Sequence, residues 1–368
     1  MGVGLVYSPA DMTKCLNLLA HPRMVFWLLP WLMVLLVAGT LAQRSIGLYE
    51  AERQYFASWL VWLGPLPLPG MYPTLAVLAS ALLAKTLFRS PWHPYKAGIY
   101  ITHLGALLLM AGGLLTALHS EEGFVALQQG DTKQQVSDYH ARELVVLKNG
   151  EGIARVPAEA LQPGMHLQET PFTITLASYC RNCQPVPREA TDLPVHGVAE
   201  KFDLKSTALE TEDEANQSGA VLQVTGAGEA DGLYVTFEPV PHPPGFSVGD
   251  DAYLLQMQRE QRELPFSITL HSVEKLTHPG MDMAREYQSE VTITDSNGLQ
   301  FQRLIRMNEP LRIEGYTLYQ ASLADARGEL VSVLAVVKNK GRVFPYVAGV
   351  AMALGLLVHC VQRLRRHA

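Results

Sequence analysis

Four long apolar runs punctuate this chain, and a stretch of quite different rhythm separates the third from the fourth. The first, Met24–Ala42, reads MVFWLLPWLMVLLVAGTLA and carries no charge. At about 1.5 Å of rise per residue it covers a hydrocarbon core about 30 Å thick. The second, Tyr72–Phe88, is shorter and holds Lys85 near its end, where a lysine can snorkel to the interface. The third, Ala97–Leu118, is uncharged except where His103 takes a proton, and the fourth is Phe344–Gln362. The pattern predicts four transmembrane helices over 24–42, 72–88, 97–118 and 344–362. Pro30 predicts a kink in the first, which neighbouring helices tolerate.

Between His119 and Val343 the period changes to short alternations divided by turn residues. Glu143–Lys148 (ELVVLK) runs into Asn149-Gly150, and Glu290–Thr294 (EVTIT) into Asp295-Ser-Asn-Gly298; Gly219–Val224 and Leu233–Phe237 alternate likewise. Asn-Gly after an alternating run is a hairpin signal. No long 3.6-residue period appears, so 119–343 reads as a large, mostly antiparallel β domain. Within it PFTITLAS at Pro171–Ser178 returns as PFSITLHS at Pro265–Ser272. Either the domain holds two related β layers or two amphipathic strands have converged on similar letters. Residues 204–218 and 238–250 read as surface loops.

Charge sets the topology. Lys14 and Arg23 precede the first run, Lys85, Arg89 and Lys96 lie between the second and third, and Arg363, Arg365 and Arg366 follow the fourth. Four spans put all three clusters on one side, the cytoplasmic one by the positive-inside rule. Residues 1–23, 89–96 and 363–368 are then cytoplasmic, and 43–71 and the β domain extracytoplasmic. Trp59 and Trp62 suit an interfacial segment on the outer surface. A cleaved leader is the rival reading for the first run, although the polar stretch before it is long for one. The formal net charge of −6 gives no case for nucleic acid, and no Walker loop, G-x-S-x-G or H-E-x-x-H occurs.

An ionisable group inside hydrocarbon is a functional candidate by default, which singles out His103. Its helix carries Gly98, Gly105 and Gly112 at sevenfold spacing, a stripe that lets another helix approach closely. At about 100° per residue His103 points about 150° away from that stripe, on the face of Ile99, Leu107 and Met110. It is either a neutral imidazole bonded to a Ser, Thr or carbonyl of another helix, or an axial haem ligand. His359 lies about 5 Å from the same cytoplasmic end by helical rise and is a weaker second ligand candidate. His119, His242 and His278 read as surface residues. Cys15 and Cys360 read as reduced cytoplasmic bystanders. Cys180 and Cys183 form Cys-Arg-Asn-Cys, but Gln184 follows, so the C-x-x-C-H haem-attachment signature fails. A disulfide, thiol exchange with a client, and half a zinc site remain open readings of the pair.

Met307–Ser322 (MNEPLRIEGYTLYQAS) resembles the (M)N-x-P-L-x-x-x-G-Y-x-x-Y-Q-x-S segment of the ResB/CcsB family, the B component of system II cytochrome c maturation. His278-Pro279-Gly280, Tyr287–Val291 (YQSEV) and Ile101–Gly105 (ITHLG) are similar to family segments in the right order. Gly39–Gln43 resembles a Gly-Thr…Pro-Gln signature, with Ala42 in place of the proline. A cysteine expected near the end of the second span is missing from Leu82–Ser90 (LLAKTLFRS). The resemblance implies a two-component complex with a multi-span ResC/CcsA-type protein. That complex moves haem b outward and joins it to apocytochrome c, and the third-span histidine, His103 here, is the proposed haem ligand. The other readings are a non-catalytic membrane scaffold that holds a secreted client, and a b-haem electron-transfer subunit using His103 and His359.

Overall fold

The computed structural model describes residues 14, 16–167, 170–239, 242–281, 284–326 and 328–367. Cys15 lies outside the described residues. The chain divides into two compact units, Met1–Glu121 with Lys338–Ala368, and Glu122–Val337. Each is described by itself.

The first unit is helical. Four of its helices are long and apolar enough to cross a membrane: Pro22–Ile46, Met71–Arg89, Pro94–His119 and Phe344–Arg365. Helix α1 (Pro22–Ile46) starts with Pro22 at its first position and the His21 side chain accepting from the Arg23 amide, and it runs on through Pro30. Proline at a helix start sacrifices no bond, because that amide has no intrahelical partner anyway. Gly47, at φ 81°, ends the helix. The connection to the next helix is built rather than loose. A turn at Leu48–Ala51 leads into a π-helical turn Glu52–Phe56, then into a hairpin of β1 (Leu60–Leu63) and β2 (Leu66–Pro69). Trp31 Nε1 donates to the Pro69 carbonyl, and the Trp59 ring meets Tyr72 edge-on. Helix α2 (Met71–Ala84) continues as a π-helical turn, Lys85–Arg89.

Helix α3 (Ala97–His119) packs along α4 (Phe344–His367) through the glycine stripe. Gly98, Gly105 and Gly112 are the buried residues of α3. A Cβ on Gly98 would run into the His359 backbone and lie 2.6 Å from the Gly355 carbonyl. One on Gly105 would lie 3.0 Å from both the Ala348 carbonyl and the Met352 nitrogen, and one on Gly112 would strike Phe344. Gly355 repeats the device from the other side, against Thr102. Small residues let the two backbones touch, so contact is made along the whole interface.

The second unit is β-rich, and the strand pairs whose register is described are antiparallel, with one isolated parallel bridge, Val195 to Leu233. It runs β3 (Glu121–Leu127), β4 (Thr132–Lys148), β5 (Glu151–Pro157), β6 (His166–Leu167), β7 (Thr173–Cys180), β8 (Cys183–Pro187) and β9 (Phe202–Ser206). Then come β10 (Gly219–Thr225), β11 (Gly232–Phe237), β12 (Gly245–Val248), β13 (Asp251–Thr277) and β14 (Ala284–Thr294). It closes with β15 (Gln300–Arg306), β16 (Leu311–Ile313), β17 (Tyr316–Ala326) and β18 (Glu329–Lys338). The large sheet has the order β15-β14-β13-β4-β3-β18-β17-β16, with β12 on β13 and β5 on β4; a second sheet is β11-β10-β7-β6. Asn149 (φ 52°) and Gly150 (φ 88°) make the two-residue β4–β5 turn, since both positions require the left-handed region. The Asp295–Leu299 loop joins β14 to β15, with Asp295 accepting from two of its backbone amides.

Two cores share the 27-residue β13. One packs Leu144, Val146, Tyr253, Leu255 and Met257 of the large sheet on Ile174, Leu176, Leu222 and Tyr234 of the smaller. The other gathers Leu264, Phe266, Ile268 and Leu270 with Val291, Ile293, Leu318 and Leu334. The echoed octads fall one in each core. Phe172, Ile174 and Leu176 point into the first and Phe266, Ile268 and Leu270 into the second. Their strand neighbours differ: Ile174 pairs with Val224 on β10, and Ile268 with Ile293 on β14.

Between the cores the β4–β13 register shifts after Arg259 and again after Glu263. Charge collects at this waist. Arg142 stands directly opposite Arg259, an arrangement that repels on its own. Glu238 resolves it, its two oxygens 2.6 Å from Arg142 Nε and 2.8 Å from Arg259 Nε. The Arg142 contact is ionic without hydrogen-bond alignment. Part of the stretch 204–218, expected to be a surface loop, is drawn in here. Asp213, Asn216 and Ser218 are buried, because Asp213 accepts from His140 Nδ1 at 2.8 Å and from Arg181 at 2.5 Å. Burial disfavours the Asp213 carboxylate, but the His140 hydrogen bond and the Arg181 guanidinium outweigh it and hold its pKa at about 2, below the ordinary 3.8.

Two outcomes follow. Gly98→Ala and Gly105→Ala part the α3–α4 backbones and lower the thermal midpoint of the detergent-solubilised protein. Gly113→Ala, where an added Cβ meets nothing within 4 Å, leaves it unchanged. Separately, a carboxylate whose pKa is depressed by folding stabilises above its unfolded value and loses that contribution as pH falls through the folded one. Denaturant titrations should therefore show stability falling from about pH 4 to about pH 2, and Asp213→Asn should be less stable at pH 7 with a shallower acid limb.

Candidate functional site

The glycine stripe fixes the rotation of α3, and with it the direction of His103. With Gly98, Gly105 and Gly112 turned to α4, His103 faces α2. There Thr86, in the π-helical turn that follows α2, places Oγ1 2.9 Å from His103 Nδ1. The same hydroxyl lies 2.8 Å from the Leu82 carbonyl. A carbonyl only accepts, so both contacts are hydrogen bonds at once only if Thr86 donates to Leu82. In that arrangement the hydroxyl accepts from the ring and the imidazole proton is on Nδ1. Nε2 is left as a bare lone pair, and no described residue hydrogen-bonds it.

That donor suits an axial haem ligand: a neutral imidazole whose far nitrogen is anchored by a hydrogen bond. Ile99, Leu107 and Met110, half-buried on the same face of α3, offer the apolar surroundings that a porphyrin requires. His103 is at the same time the imidazole bonded to a Thr of another helix that the sequence left open. The two readings share one geometry and differ only in what occupies Nε2.

The other candidates lie elsewhere. The His359 backbone abuts Gly98, on the glycine face, and its Nδ1 is buried without a hydrogen-bond partner. His103 and His359 are therefore not brought to one point. Cys180 and Cys183 are joined as a disulfide at the β7–β8 corner, 7% and 5% exposed. The two residues between them are pinned. Arg181 pairs with Asp213, and Asn182 donates to the Ala208 carbonyl and accepts from the Gln217 amide. In the folded state these sulfurs are not offered to a client thiol. His119 ends α3 exposed, His242 is exposed and His278 is half-buried. Cys360 is an exposed free thiol on α4.

Of the residues that carry the family resemblance in Met307–Ser322, Tyr316 and Gln320 are buried, whereas Met307, Asn308, Gly315 and Ser322 are exposed. Tyr316 and Leu318 are buried in the second core. Gln320, Ser289 and Ser332 form a buried knot: Ser289 Oγ is 2.6 Å from Gln320 Oε1 and 2.7 Å from Ser332 Oγ, and Gln320 Nε2 donates to the Ser322 carbonyl. Gly39 is buried where an added Cβ would meet the Tyr55 and Phe56 side chains.

Thr86 was missed at the sequence level. A signal was present: it is a hydroxyl residue near the same end of its apolar run as His103 is of the next, the end marked by basic residues.

A model of the ResB-like family matches residues 247–332, from β12 through the β17–β18 hairpin. The chain is also 24% identical over 294 residues to Protein NrfI of Wolinella succinogenes, covering 77% of this chain and 29% of that protein's length. The similarity to the ResB-like family thus lies in residues 247–332, which form most of the second core of the β unit.

Proposed function

We propose that this chain is the B-type subunit of a cytochrome c maturation complex, holding haem at His103 on its way to apocytochrome c. The observation that carries the reading is the bare Nε2 of His103, kept in one tautomer by Thr86. The ResB-like match supports the same assignment.

In this reading the four apolar helices cross the bacterial cytoplasmic membrane with both termini inside. The β unit is extracytoplasmic, a placement that the three basic clusters support. Trp59 and Trp62, 70% and 64% exposed on the β1–β2 hairpin, then meet lipid at the outer interface. Haem is the cargo, and bound here its iron takes one axial bond from Nε2. The chain itself contributes orientation and surroundings. Thr86 holds the ring, the Ile99–Leu107–Met110 face excludes water, and α4 leaves the opposite side of α3 no room for a second ligand from His359. A second axial ligand and the attachment chemistry then belong to a multi-span ResC/CcsA-type partner, which also accounts for the open face of α3. The β unit, with its buried disulfide, holds the apocytochrome. No nucleic acid is involved.

A scaffold in which His103 is only a structural hydrogen-bonder is favoured by the same Thr86 bond, so the test must read haem directly. The protein is isolated from membranes with its co-purifying partner, and reduced-minus-oxidised spectra are recorded. Wild type should show a b-type band. His103→Ala should lose it while still inserting and co-purifying. An unchanged band in the variant contradicts the reading, and no band in either preparation leaves the scaffold.

A further inference from the structure

We infer that Thr86 is the positioning residue of the His103 site, fixing which ring nitrogen is presented. The inference rests on the haem-handling reading for its consequence, but its geometric part stands on the chain alone.

Three observations carry it. The first is the chain of two hydrogen bonds, His103 Nδ1 to Thr86 Oγ1 at 2.9 Å and Thr86 Oγ1 to the Leu82 carbonyl at 2.8 Å. Because the carbonyl has no proton to give, both contacts are hydrogen bonds at once only if the chain runs from the ring to the backbone. The second is burial: Thr86 is 8% exposed, so water does not readily replace the hydroxyl as the acceptor for Nδ1–H. The third is the local backbone. Thr86 stands in the π-helical turn Lys85–Arg89, where the ordinary i→i−4 ladder is widened. The Thr86 hydroxyl back-bonds to the Leu82 carbonyl four residues earlier, which the Lys85 amide also meets, and such turns recur at functional sites. A β-branched residue there is also stiff about χ1, so the hydroxyl is held in place rather than free to swing away.

The consequence is chemical. A histidine in an apolar setting with no acceptor for either nitrogen distributes its proton over both tautomers, and only one presents Nε2. An anchored Nδ1–H removes the other tautomer and raises the basicity of Nε2, which is what an outer-shell partner does for a ligating imidazole. Thr86 touches neither iron nor porphyrin and acts only through His103.

The test compares wild type, Thr86→Val, Thr86→Ser and His103→Ala, all as full-length protein in lipid nanodiscs. Valine keeps the shape and deletes the acceptor, whereas serine keeps the hydroxyl. First, with histidine nitrogens labelled and no haem added, the ring ¹⁵N shifts of His103 report the tautomer, the signal being assigned by its loss in His103→Ala. Wild type and Thr86→Ser should show Nδ1 protonated, and Thr86→Val should show a mixture or Nε2 protonated. Second, titration with haemin should show Thr86→Val binding about 10–100-fold more weakly than wild type, with Thr86→Ser near wild type. A Thr86→Val protein with the wild-type ¹⁵N pattern overturns the inference, and so does one with the wild-type haemin affinity. Haemin binding that is equal in wild type and His103→Ala sinks the haem reading instead, and the ¹⁵N arm still decides the role of Thr86.

Discussion

The contact between the backbones of α3 and α4 along Gly98, Gly105 and Gly112 is the constraint on which the rest of the helical unit depends. A helix has one rotation about its axis. Once three glycines are committed to α4, every other side chain of α3 has its direction assigned. His103 turns to α2, where Thr86 is within hydrogen-bond reach. Ile99, Leu107 and Met110 share that side. Wider residues in the stripe would push the helices apart and leave the rotation of α3 undetermined. The glycines are therefore as much a part of the histidine site as Thr86 is, although none of them touches it.

The β unit solves a different problem. Its longest strand, β13, belongs to two cores, and a strand that long twists and must break register somewhere. The breaks fall at the waist, where Arg142 and Arg259 face each other and Glu238 holds them. The ion pair Arg181–Asp213 ties the disulfide corner to the same place. The family-matching segment lies mostly in the second core, and the Gln320–Ser289–Ser332 knot is its polar centre. Buried polar groups that satisfy one another define a single arrangement of strands, which gives Gln320 of the family-like segment a structural cause.

Much of this is legible in the sequence, and the limits have physical causes. The four apolar runs mark the four helices, because length and absence of charge are local properties. The sevenfold glycine spacing gives a close contact with another helix, though not which one, and the direction of His103 away from it, because helical periodicity turns spacing into angle. Asn149-Gly150 marks its turn through its positive φ values. Thr86 is not legible in the same way. A threonine in an apolar run looks like any helix residue until the neighbouring helix is in place. Asp213 was read into a loose loop because its partners, His140 and Arg181, are remote in sequence. The octads Pro171–Ser178 and Pro265–Ser272 announce the same alternation, but not that each serves a separate core.

The central claim is that Nε2 of His103 is a ligating atom at a built position, and it can be tested without reference to any partner's activity. In His103→Gly the ring is deleted and its place left open, and imidazole is then supplied in solution to the full-length protein with its co-purifying partner. The account predicts that the b-type haem signal disappears in the variant and returns with added imidazole, with an axial-histidine spectrum. A signal that persists in the variant, or one that imidazole never restores although the protein remains folded, would contradict it.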